Sequence, residues 1–226
     1  MRATRGALTL HWTVDGYNRL GPRERPGRTD VRNLLGFKDG TANLDHEDEA
    51  LMRRYVWVGA DDGEPAWAVG GSYHVVRLIR MLVEHWDRTS LSEQEAIIGR
   101  HKRTGAPLGR CREEDVPVFD DDPDGRRTPL DAHIRLANPR TREAADNLVL
   151  RRGFSYSAGF DGAGQLDQGL AFVCFQRDLE RGFLAVQARL DGEPLEEYVL
   201  PVGGGFFFAL PGTSHPDRFL GAELLG

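Results

Sequence analysis

The sequence predicts an α+β fold, and three observations carry the prediction. Leu8, Leu10, Trp12 and Val14 alternate with Thr9, His11 and Thr13, the period of a strand buried on one face. Residues 73–82 and 169–175 form apolar runs of strand length, whereas Leu179, Phe183, Val186 and Leu190 step by four, three and four along an amphipathic helix. Strands and helices mix without strict βα alternation, and no GxGxxG opens a helix, which argues against a doubly wound nucleotide fold.

The remaining elements follow in chain order. Residues 18–32 are rich in Arg, Pro and Gly, lack an apolar period and read as a long loop leading into Gly36-Phe37-Lys38-Asp39-Gly40. Residues 55–58 and 73–82 flank the turn-prone Asp61-Asp62-Gly63-Glu64-Pro65 and read as two strands. Ser92 and Glu95 have the spacing of a capping box, so a helix is expected from there through Arg100. Residues 111–129, with Asp120, Asp121, Asp122 and Asp124, lack the Gly and Glu placement of an EF-hand and read as a solvated acidic loop. Thr141 can cap a helix running to Leu150, which would leave Arg151 at its C-terminal end. Residues 203–211 return to strand, their triple glycine expected as a bulge or a close backbone approach.

Bulk properties exclude several function classes. A chain of 226 residues with 40% apolar and 28% charged residues suits one compact unit that folds in water. Lys plus Arg total 29 against 35 Asp plus Glu, a formal charge of −6, and no basic stripe is present, so nucleic acid is not an expected partner. Cys111 and Cys174 fit neither a zinc pattern nor a disulfide framework; Cys174 reads as a core-strand thiol. No apolar h-region follows Arg2 and Arg5, and no run reaches membrane-spanning length, so the expectation is a cytoplasmic chain without a membrane partner.

The chemistry-bearing residues are Asp39 between Gly36 and Gly40, His133 within Ala132-His133-Ile134-Arg135-Leu136-Ala137-Asn138-Pro139-Arg140, and Arg151. Each taken alone has an ordinary reading: an Asx-turn for Asp39, a structural histidine for His133, and a helix-end or surface ion pair for Arg151. The other histidines have no ligand spacing such as HExxH.

In company, these segments resemble the dye-decolourising peroxidases, most closely the bacterial deferrochelatase/peroxidase branch. The resemblance rests on Asn33-Leu34-Leu35-Gly36-Phe37-Lys38-Asp39-Gly40-Thr41-Ala42-Asn43, Gly70-Gly71-Ser72-Tyr73, Ile98-Gly99-Arg100, Thr104-Gly105-Ala106-Pro107-Leu108, His133 to Arg140, Leu150-Arg151-Arg152-Gly153 and Phe175-Gln176-Arg177-Asp178, in that order. It implies a ferredoxin-like α+β sandwich, duplicated in the family, with haem b in the second copy. Residues 1–226 would then be that haem-binding domain, the N-terminal half being absent and relatives often exported by the twin-arginine route.

The resemblance further implies His133 as proximal ligand of the haem iron, Asp39 and Arg151 as distal catalytic groups, and Gly40, Thr41, Ala42, Asn138, Pro139, Arg140 and Arg151 as haem-binding residues. Glu197, or failing it Asp178, is the expected carboxylate partner of His133, and Trp86 and Tyr156 are candidate electron relays. The implied partners are hydrogen peroxide, a small aromatic or other one-electron donor, and either further copies of the chain or the missing half. A haem-binding module that releases iron from haem, or an inactive one, is the alternative.

Overall fold

The computed structural model describes residues 9, 12–20, 31–213 and 217–224. Its elements are β1 (Gly16–Tyr17), β2 (Arg19–Leu20), β3 (Val31–Arg32), α1 (Glu49–Tyr55), β4 (Ser72–Met81), α2 (Val83–Trp86), α3 (Leu91–Ile98), α4 (His133–Ala137), β5 (Leu150–Arg151), β6 (Phe154–Phe160), β7 (Leu166–Gln176), α5 (Ala185–Leu190) and β8 (Val199–Ala209). One antiparallel sheet runs β1-β6-β7-β4-β8, with β5 also paired to β7, and β2 pairs with β3 separately. The fold is therefore α+β and ferredoxin-like.

Strand β4 lies between β7 and β8 because its Val, Leu and Ile residues can be buried on both sides. Register Val75↔Cys174 and Arg151↔Cys174 puts Val75, Cys174 and Arg151 on one face, since directly opposed residues point the same way. Phe183 closes that face over Val75 and Cys174. It belongs to a π-helical turn, Glu180–Leu184, that continues into α5. A second cluster gathers Leu35, Phe37, Met81, Trp86, Ile97, Ile98, Leu195 and Tyr198, and a third joins Met52, Tyr55 and Val56 of the α1 region to Leu150.

The expected strands at 73–82, 169–175 and 203–211 are present as β4, β7 and β8. Of the two purposes expected of the triple glycine, the close approach falls on Gly204 and the bulge just before it, at Val202. The β4–β8 register slips between Leu78↔Gly203 and Ile79↔Pro201, a bulge, and a Cβ on Gly204 (φ 136°) would lie 2.1 Å from the Val76 carbonyl oxygen.

Five expectations are corrected. Leu8 and Leu10 lie outside the described residues, but Trp12 and Val14 are exposed and not in a strand; among the described residues pairing begins at Gly16. The loop expected at 18–32 contains the β2–β3 pair at its two ends. Residues 55–58 are the end of a helix and a turn, because Asp48 caps α1 by accepting from the Ala50 and Leu51 amides. Ser90, not Ser92, caps α3 by accepting from the Glu93 amide at 3.3 Å; Glu95 instead accepts from the Lys102 amide and pairs with His101. The helix expected at 141–150 shortens to one 3-10 turn, Glu143–Asp146, because Leu150 and Arg151 are taken into the sheet. The acidic loop is irregular as expected, yet Asp122 folds inward and accepts from the amides of Arg126, Arg127 and Thr128.

Candidate functional site

The segment bearing Asp39 is built around Asn33, whose Oδ1 accepts from the Leu35 and Phe37 amides at 3.1 and 3.2 Å. That turn puts Leu35 and Phe37 into the Trp86 core, where Trp86 Nε1 donates to the Leu35 carbonyl at 3.0 Å and Phe37 meets the indole edge-on. With both apolar side chains inward, Asp39 is left exposed, its Oδ1 accepting from the Gly40 amide at 2.8 Å. The contact reaches only the next amide, not the one two residues on that an Asx-turn uses, so the Asx-turn reading of Asp39 is not what the loop shows.

Arg151 comes to this segment from β5 rather than from the end of a helix. Asn43 clamps its backbone reciprocally, Nδ2 donating to the Arg151 carbonyl at 2.8 Å and Oδ1 accepting from the Arg151 amide at 2.9 Å. The guanidinium Nη2 donates to the Thr41 carbonyl at 2.8 Å, two residues from Asp39. The Asp39 loop and Arg151 are thus one hydrogen-bonded unit although 108 residues separate Asn43 from Arg151.

His133 opens α4. Its Nδ1–H donates to Glu193 Oε2 at 2.7 Å, and the Glu193 side chain is 7% exposed. The carboxylate partner is therefore Glu193, not Glu197 or Asp178, because the Gly192-Glu193-Pro194 turn after α5 aims it at α4. Nε2 has no partner among the described residues. Helix α4 is fixed from α5 by Arg189, whose Nε and Nη2 donate to the Leu136 and Ala137 carbonyls at 2.9 and 3.0 Å. The helix carrying His133 is thereby docked to the layer that covers the Arg151 face.

Among the described residues, two non-glycine residues have left-handed backbone, Ala42 (φ 57°) and Arg140 (φ 63°). Each ends a segment expected to line haem, and the Arg140 amide is held by Asn138 Oδ1 at 3.1 Å. Such strain persists where surrounding contacts over-determine the backbone and concentrates at functional sites. Positive charge also converges: Arg100, 8% exposed, is pushed down to about 10, first by burial and then by the Arg140 charge, with Glu113 opposing and Arg151 adding. A cofactor carrying carboxylates would relieve that repulsion.

The residues present fit a haem. An imidazole with one nitrogen tied to a buried carboxylate and the other unpartnered would suit an iron as a ligand of fixed tautomer, and cations with positive-φ backbone suit a carboxylate-bearing macrocycle. Glu193, Asn43, Arg189 and Arg100 were not found from sequence. Asn43 and Arg100 lie inside the motifs of the family resemblance but nothing local assigns them these contacts, and Glu193 and Arg189 act across 60 and more than 50 residues. Of the candidate relays, Trp86 is fully buried against Tyr198, and Tyr156 lies in β6 against β7. Cys174 is buried and its thiol is pushed up to about 12 by burial, as a core thiol should be.

Comparison with known proteins gives the family of the chain. The sequence model of the Dyp-type peroxidase C-terminal region matches residues 30–214, and the chain belongs to that family. It is 55% identical over 225 residues to the deferrochelatase of Escherichia coli strain UTI89, covering 100% of this chain and 53% of that protein. The oxyferrous complex of DtpA from Streptomyces lividans superposes with a TM-score of 0.84 at 37% identity, over 100% of this chain and 60% of that one. A DyP-type peroxidase from Cellulomonas bogoriensis gives 0.79 at 39% identity, over 93% and 56%. The chain spans about half the length of the curated relatives it matches. No helix among the described residues is long and apolar enough to cross a membrane.

Proposed function

We propose that residues 1–226 form one haem-binding domain of a peroxidase that reduces hydrogen peroxide and oxidises small aromatic or other one-electron donors. The observation that carries this reading is His133, with Nδ1 held by buried Glu193 and Nε2 free to take iron. Gly40, Thr41, Ala42, Asn138, Pro139 and Arg140 would line the cofactor, and Arg140 and Arg151 would face it with positive charge. When bound, haem supplies the redox chemistry, passing electrons from the donor to peroxide.

The protein's part is proton handling and charge. Peroxide must lose a proton from its inner oxygen and gain one on the departing oxygen, and the exposed Asp39 oxygen can take the first and deliver the second. Negative charge grows on the departing oxygen as the O–O bond lengthens, and Arg151, always charged and fixed by Thr41 and Asn43, is suited to meet it. Two protons and two electrons per peroxide give two waters. The net charge of −6 favours neutral or cationic donors.

The test is a haem titration of the chain, wild type against His133→Ala. A saturable Soret band lost in the variant supports the reading, and a band of equal strength in both overturns it. The 55%-identical relatives named deferrochelatase favour a second reading, release of iron from haem by the same pocket. Porphyrin fluorescence after incubation with haem and a reductant separates the two: metal-free porphyrin supports release, and recovery of intact haem excludes it.

A further inference from the structure

We propose that Glu113 is the positioning residue for the face formed by Asp39 and Arg151. The inference rests on the peroxidase reading of those two groups. Glu113 lies in the acidic loop, 72 residues from Thr41, and nothing in the local sequence joins it to the Asp39 segment. In the structure its carboxylate spans that segment: Oε2 takes Lys38 Nζ at 3.1 Å and Oε1 accepts from Thr41 Oγ1 at 2.9 Å. The two contacts flank Asp39 and Gly40 on both sides.

The pair sits in a built socket. The Lys38 and Glu113 side chains are 7% and 15% exposed, so their interaction is poorly screened by water. A Cβ on Gly105 would meet Lys38 Cδ at 2.8 Å and Glu113 Cγ at 3.1 Å, so the missing side chain at that position leaves the pair its room. Arg100 Nη1 donates to the Glu113 carbonyl at 3.1 Å and to the Gly105 carbonyl at 2.7 Å, fixing both walls.

Two consequences follow for the reacting groups. Thr41 gives its hydroxyl to Glu113 while its carbonyl receives Arg151, so one residue transmits the position of Glu113 to Arg151 and to the Gly40 amide neighbouring it. Lys38, adjacent to Asp39 in the chain, is engaged by Glu113. Released from it, the ammonium could neutralise the Asp39 carboxylate and weaken its action as a base. Glu113 touches neither peroxide nor cofactor in this scheme; it acts through Lys38 and Thr41.

The test uses haem-loaded protein and two readouts, the rate of reaction with peroxide and the rate of cyanide binding to ferric haem, each across pH. Cyanide binds as an anion delivered from hydrogen cyanide, so its association reports the distal base without turnover. Glu113→Ala is expected to keep the His133-dependent Soret band yet slow both reactions about 100-fold, the scale on which small misplacements act. Glu113→Gln, which keeps an acceptor for Thr41 but loses the charge for Lys38, should fall between. If Glu113→Ala fails to load haem, Glu113→Gln decides by the same readouts.

The cycle with Asp39→Ala separates the two ideas. Adding Glu113→Gln to Asp39→Ala should cost little more than Asp39→Ala alone, as for residues acting as a unit. Wild-type rates in Glu113→Gln, or full additivity with Asp39→Ala, overturn the role of Glu113. If Asp39→Ala itself leaves both rates unchanged, the reading of Asp39 fails, and the proposal for Glu113 falls with it.

Discussion

At the residue scale, Glu193 would make His133 a directed ligand in the proposed haem site. A carboxylate accepting from Nδ1–H fixes the tautomer with Nε2 available and makes the imidazole a stronger donor. Glu193→Gln is expected to weaken haem affinity about 10- to 100-fold and to raise the ferric/ferrous midpoint potential, both read by optical titration. Asp39→Ala should slow reaction with peroxide by about 10² to 10⁴, the range of a single general base. Arg151→Lys should not restore what Arg151→Ala loses, because an ammonium lacks the fork that bonds Thr41 and faces the departing oxygen together; stopped-flow rates for the three proteins check this. The two thiols should differ too: exposed Cys111 should take up an alkylating reagent at pH 8 and Cys174 only after unfolding, giving one labelled thiol by mass. Asp39, His133 and Arg151 stood out as candidates because each lies in a local motif. Glu193 did not, since 60 residues separate it from His133 and only the turn after α5 brings it near.

At the element scale, legibility followed how much a segment's local pattern agreed with its tertiary setting. Strands β4 and β7 have continuous apolar content and lie where that content is buried or half-buried, so pattern and fold coincide, whereas β8 has the strand pattern at an edge that leaves most of it exposed. Residues 55–58 misled because Tyr, Val and Trp favour strands, while the decisive signal was Asp48, seven residues earlier, capping a helix with Glu49 in its first turn and Arg53 and Arg54 in its last. Asp48→Ala should therefore cost about 1 kcal/mol of stability, measured by denaturant unfolding. Residues 141–150 misled in the opposite sense: the helical spacing is real, but pairing of Leu150 and Arg151 with Phe175 and Cys174 takes the end of the segment into the sheet. In the acidic loop, the amides of Thr128, Arg127 and Arg126 hold the Asp122 carboxyl below the usual carboxylate range. A depressed native pKa gives stability that is present above the unfolded value, about 3.9, and is lost as pH falls through the native one. The melting-temperature gap between wild type and Asp122→Asn should be full near neutral pH and narrow in acid; a gap that is constant with pH would contradict it.

At the scale of the whole molecule, the sheet ends on an edge that ordinary monomers avoid. Strand β8 is eleven residues long and pairs only with β4 among the described residues. Along it Leu200, Val202, Phe206 and Phe207 are each more than half exposed, and Pro201 alone interrupts the row of backbone donors. Long apolar edges recruit further strands, and natural proteins blunt them with charge, bulges or a covering segment. Here the bulge falls at Val202 and charge is missing from the entire strand. The purified chain is therefore expected to self-associate, its mass by light scattering rising along a concentration series. Lysines at Leu200 and Val202 should return it toward the monomer without disturbing the haem site, because neither residue contacts the Asp39 loop, Arg151 or α4 through any hydrogen bond or cluster described above. A monomer at every concentration in the unaltered chain would show that the bulge alone suffices to protect the edge. Retained association in the lysine variant would move the contact to another surface, and loss of the Soret band alongside association would tie the cofactor pocket to that contact.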